Sequence, residues 1–90
     1  MKFFAAILPM KDKELSEKHR PAHLAFLEKL HAEGTIAAYG RFADGAGGLI
    51  IYRVDSYETA EGYVKQDPFV IEGARNYEIH EWSMVSNEWS

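Results

Sequence analysis

Arg20-Pro21-Ala22-His23-Leu24-Ala25-Phe26-Leu27-Glu28-Lys29-Leu30-His31-Ala32-Glu33-Gly34 decides the fold, because its periodicity is the strongest helix signal in the chain. His23, Phe26, Leu27 and Leu30 recur at the spacing that puts them on one helix face, while Glu28, Lys29 and Glu33 fall elsewhere, toward water. Pro21 suits a first turn, where its missing N–H costs nothing, and Gly34 suits a left-handed cap. The spacing predicts a helix from Arg20 to Glu33.

Strand patterns lie on both sides of it. Toward the N-terminus, Lys2 to Leu8 is apolar at its odd positions (Phe3, Ala5, Ile7) and at its even ones (Phe4, Ala6, Leu8), so both faces are expected to be buried. Pro9 to Ser16 is polar and reads as a connection that could hold some helical turns. Toward the C-terminus, Thr35 to Phe42 is a second strand, weakened by Ala37, Ala38 and Gly40. Asp44 to Gly48 is a turn, and Leu49 to Val54 is a third strand with apolar residues on both faces, so the pair forms a hairpin. Asp55 and Glu58 have the spacing of a capping box for a second helix, Ser56 to Gln66, which Asp67-Pro68 ends. Tyr77 to Val85 is the last strand. The order β-α-β-β-α-β is the split βαβ of an α+β ferredoxin-like sandwich with a four-stranded antiparallel sheet. Helices cover one face of such a sheet. The other would leave apolar residues of strands one and three exposed, so two copies are expected to pack face to face as a homodimer.

Ninety residues make one domain, 1–90, with a thin core. Hydrophobic residues are 47% of the chain, too many for a disordered segment. There is no cysteine, which excludes disulfides and thiolate metal sites and suits a reducing compartment. The apolar run Phe3 to Leu8, closed by Pro9, is too short for a signal-peptide core or a membrane span, so the expected location is cytoplasmic, with no membrane partner. Ten basic and 14 acidic residues give a net charge of −4, and the basic ones form no run, which argues against nucleic acid.

Arg20-Pro21-Ala22-His23-Leu24 with Leu27, Leu30 and Glu33-Gly34, and later Asp67-Pro68-Phe69-Val70 with Gly73, resemble the two signatures of the YCII-related family. Gly40 and Gly47-Gly48 sit where that family places glycines. The resemblance covers nearly the whole chain. It implies a protomer of the dimeric α/β-barrel kind and an active site built on His23 and Asp67. It also implies a chemistry related to HCl elimination from a chlorinated hydroxylated ring, while related barrels include lactone isomerases and cofactor-free oxygenases. Arg41 departs from the family pattern, which often has Pro after the glycine, and the loop between strands two and three is short.

An imidazole on the helix face that meets the sheet must find a partner, and Asp67 can supply one. A carboxylate on one ring nitrogen fixes the tautomer and leaves the other free to exchange a proton. The competing reading is a buried structural hydrogen bond at His23 and a plain turn at Asp67. Arg20, one turn before His23, could clamp a carboxylate or phenolate, or simply be a surface residue. Arg20, Gly40, Phe42 and Phe69 are the expected ligand contacts. Tyr39, Tyr52 and Trp82 are further candidates for an aromatic pocket, although core or interface packing explains most such residues. His19 and His23 have a metal-compatible spacing, but no local acid completes a set, and no metal is expected. His31 reads as a helix-end residue, His80 as a packing residue, and Trp89 as a tail that docks or is disordered. Gly45 to Gly48 lacks the Lys-Ser/Thr of a phosphate loop, and no fingerprint points to a cofactor.

Two readings follow. In one, the protein is an enzyme in which His23 and Asp67 abstract a proton from a small cyclic or hydroxylated substrate, with elimination or isomerisation. In the other, it is a non-catalytic dimer that binds a small metabolite or another protein.

Overall fold

The computed structural model describes residues 1–86, and Trp89 lies outside them. Strand β1 (Lys2–Pro9) is followed by helix α1 (Lys13–Ala32), strands β2 (Ile36–Arg41) and β3 (Gly47–Val54), helices α2 (Tyr57–Val64) and α3 (Pro68–Ile71), and strand β4 (Glu78–Glu81). The sheet order is β2-β3-β1-β4 and every neighbouring pair is antiparallel, which is the ferredoxin-like α+β arrangement.

Alternation along the strands divides the sheet into two faces. Phe4, Ala6 and Leu8 of β1 are buried beneath the helices with Ile50, Tyr52 and Val54 of β3, Ile36 of β2 and Ile79 of β4. Leu27 and Leu30 of α1 and Ala60 and Val64 of α2 close this core from above. The opposite face carries half-buried Phe3, Ile7 and Leu49 and buried Ile51. Its β4 edge is polar. Glu78 and His80 pair with Ile7 and Ala5, and His80 is exposed with Nε2 3.1 Å from Glu78 Oε1, so it does not pack as a core residue.

Four local expectations change. Helix α1 begins at Lys13, because the Asp12 side chain caps it by accepting the Leu15 N–H at 2.9 Å. Pro21 is therefore inside the helix and not in its first turn. It is exposed, as is Glu17 one turn earlier, so water is at hand for the carbonyl that proline leaves without a donor. Helix α2 is capped by Ser56, whose Oγ accepts the Thr59 N–H, and Asp55 instead accepts the Thr59 hydroxyl, so the expected Asp55–Glu58 box does not form. Asp67-Pro68 does not merely stop α2; it opens α3, with Pro68 at the start of the helix. The last strand is short, ending at Glu81. The end of α1 is as expected. Gly34 has φ +82°, its N–H donates to the His31 carbonyl, and the Thr35 N–H donates to the Leu30 carbonyl, the paired bonds of a Schellman cap.

Gly47 is the tightest point of the β2–β3 hairpin. Its φ is +135°, and a Cβ there would be driven into the Leu8 carbonyl oxygen of the neighbouring strand. Gly45 also has positive φ, at +82°, but faces open space. Gly47→Ala is expected to lower stability by at least about 2 kcal/mol, and Gly45→Ala by only about 1 kcal/mol, read from urea midpoints. Equal losses would show that the strand contact is not the constraint.

Candidate acid–base site between the long helix and the sheet end

His23 stands on the sheet-facing side of α1, and Asp67 ends the segment between α2 and α3. The His23 Nδ1–H donates to Asp67 Oδ1 at 2.7 Å, and both groups are buried, the carboxylate completely. The same oxygen accepts the Phe69 N–H at 2.9 Å and so caps α3. The turn role and the pairing with His23 are thus performed by one atom. With Nδ1 taken by the carboxylate, Nε2 is the nitrogen left for other chemistry, and the ring lines a cavity of about 400 Å³.

Phe69 holds the imidazole flat. The two rings stack with centroids 3.8 Å apart and an interplanar angle of 11°. Behind the pair lie two buried polar atoms with no protein partner among the described residues, Asp67 Oδ2 and the Tyr52 hydroxyl. Burial chiefly, then the Asp67 charge and Tyr63, push the Tyr52 ionisation upward, so the phenol stays neutral.

The cavity lies where α1 passes over the end of the β2–β3 hairpin. Arg20, Gly40, Phe42 and Phe69 all line it together with His23. Of the other aromatic candidates, Tyr39 is in its wall, whereas Tyr52 is fully buried in the core and Trp82 follows β4 away from the cavity. His31 is exposed near the end of α1 with its ring edge-on to Tyr39. His19 lies one turn before His23 in regular helix, but its Nε2 is 3.9 Å from Glu72, and no group of three metal-ligating side chains occurs among the described residues.

The cavity also contains a residue that the sequence reading did not single out. Arg75, between α3 and β4, is buried; its Nε donates to Ser16 Oγ at 3.0 Å and its Nη1 to the Leu8 carbonyl at 3.2 Å. Its guanidinium carbon lies 4.5 Å from the centre of the Phe69 ring. Burial, and after it the Arg20 charge, lower its pKa, against the opposing pull of Asp67. No motif marks Arg75, because its partners are contributed by β1 and α1, 59 or more residues away in sequence.

The family model of the YCII-related domain matches residues 1–83. The uncharacterized protein YjpA of Bacillus subtilis (strain 168) is 32% identical over 78 residues, which is 87% of this chain and 92% of YjpA. Among solved structures, the 5-chloro-2-hydroxyhydroquinone dehydrochlorinase TftG from Burkholderia phenoliruptrix AC1100, in complex with 2,5-dihydroxybenzoquinone, superimposes with a TM-score of 0.78. Its sequence identity is 23%, over 92% of this chain and 95% of TftG, so the likeness speaks for the fold. A family match over nearly the full length, a relative sharing about a third of its residues, and a common fold make this chain a member of the YCII-related domain family.

Proposed function

We propose that the protein is a small-molecule enzyme in which His23 is the general acid–base group and Asp67 is its positioning residue. The observation that carries this reading is the 2.7 Å bond between Nδ1 and a fully buried carboxylate, beside a cavity that the same ring lines. In the proposed step Nε2 takes a proton from the bound molecule. The electron pair left behind either expels a leaving group, giving elimination, or returns with the proton at another carbon, giving isomerisation. Asp67 stabilises the imidazolium formed, and its own place is set by the Phe69 N–H.

TftG acts on a chlorinated, hydroxylated ring, and by analogy such a ring is the first substrate to try here. With 5-chloro-2-hydroxyhydroquinone and chloride release as the readout, His23→Ala and Asp67→Asn are expected to lower kcat by about 10²–10⁴-fold with KM changed much less. Undiminished turnover in either variant would remove the dyad from the mechanism.

The alternative is a metabolite-binding module, and the double duty of Asp67 as the α3 cap favours it, because the acid has a structural use in any case. Tight binding of a ring ligand, with no turnover by the unaltered protein and unchanged affinity in His23→Ala, would support that alternative.

We also propose that two copies associate through the uncovered sheet face, since Phe3, Ile7 and Leu49 there are only half-buried in the single chain. Light scattering at micromolar concentration is expected to give twice the chain mass, and Leu49→Glu to give the mass of one chain. A single-chain mass for the unaltered protein would end this proposal.

A further inference from the structure

The chain carries a net charge of −4, yet the permanently charged side chains that line its cavity are Arg20, Arg41 and Arg75, with no Asp or Glu among the described residues. Asp67 lies behind the wall, completely buried, with Oδ1 already shared by His23 and Phe69. The cavity surface is therefore positive against the balance of the molecule.

Arg75 is the buried member of the set. A guanidinium has five N–H donors in a planar fork and no acceptor. Two of its nitrogens bond to neutral oxygens, those of Ser16 and Leu8, and no carboxylate lies within ion-pair distance of it among the described residues. Nη2 has no protein partner among those residues. The Asp67 charge acts on this guanidinium only from beyond ion-pair distance, so an anion in the cavity that reaches Nη2 would be its first direct ionic partner. Its two bonds fix the fork in place, the condition under which it can accept a planar anion without further ordering. Leu24, Tyr39 and Phe42 of the cavity wall offer apolar surface for one ring, and about 400 Å³ is room for a ligand of that size.

We infer that Arg75 is the residue that selects ligand charge, making this cavity specific for a single-ring organic anion that presents a carboxylate or phenolate to the guanidinium. The inference deepens the acid–base reading in that it places the ligand in the same cavity, but it does not require turnover. Arg20 and Arg41, both exposed, add to the field at the mouth, whereas Arg75 makes the desolvated contact.

Salicylate and salicylamide test this, being nearly isosteric and differing by one charge. Binding is measured on the full chain by calorimetry and by perturbation of the Arg75 side-chain N–H resonance. Salicylate is expected to bind at least about tenfold more tightly, the worth of one charge-assisted hydrogen bond. Arg75→Met is expected to bring the two within about twofold, whereas His23→Ala keeps the preference. Equal affinities for the two compounds in the unaltered protein, or no perturbation by either at millimolar concentration, would overturn the inference whether or not the Met variant folds. Failure of the acid–base reading is distinguishable, since it appears as unimpaired turnover in His23→Ala with the charge preference intact.

Discussion

One oxygen atom organises this structure. Asp67 Oδ1 accepts the imidazole N–H of His23 and the backbone N–H of Phe69, and no part of its residue reaches solvent. Hydrogen bonds to an ionised acceptor contribute roughly 1.5–3 kcal/mol, and a buried carboxylate deprived of them costs several times more than an exposed one. The arrangement is all-or-none in consequence. If α3 moves, the carboxylate loses the donor that orients it; if α1 moves, it loses the imidazole. Two segments 44 residues apart are thereby held in one geometry.

Phe69 extends that constraint. Its N–H is spent on the acid, its ring stacks on the imidazole, and the Arg75 guanidinium lies over the same ring. Because Pro68 opens α3 and Asp67 caps it, Phe69 has little freedom in backbone or ring. The His23 imidazole and the Arg75 cation are thus referenced to one rigid aromatic plane. A site built this way needs few residues, which suits a chain of 90 residues with a thin core.

The parts of this arrangement differ in how readable they are from sequence, and the differences have physical causes. Strands β1 and β3, the C-terminal half of α1 and its Gly34 cap follow from apolar periodicity and glycine chemistry, since burial imposes those patterns directly. Pairing His23 with Asp67 follows from the family resemblance together with the need of a buried imidazole for a partner. The first half of α1 was hidden because Lys13 to Arg20 is mostly polar: it buries Ser16 alone, and Pro21 offered a plausible but wrong start. Helix α3 was hidden because four residues carry no period, and its cap looks the same as a stop signal. Arg75 was hidden for a stronger reason. An arginine is usually a surface residue, and only the folded chain shows that Ser16 and the Leu8 carbonyl converge on this one.

The uninterrupted helix then explains why Arg75 and His23 are neighbours at all. Ser16 and His23 are seven apart, almost two full turns, so a regular helix through Pro21 puts both on the same face. Ser16 holds Arg75 and His23 holds Asp67, and α1 therefore sets the spacing between the cation and the His23–Asp67 pair. Had the helix begun at Pro21, Ser16 would sit in a loop and the guanidinium would have lost a fixed anchor. The proline is tolerated because residues 17 to 22 on its side of the helix are solvated or only partly covered, so the lost backbone bond falls where water can replace it. The sheet-facing side, where no such replacement exists, keeps a continuous register from Ser16 through Leu30. It is that register, more than any single motif residue, that brings acid, imidazole and guanidinium to one wall of one cavity.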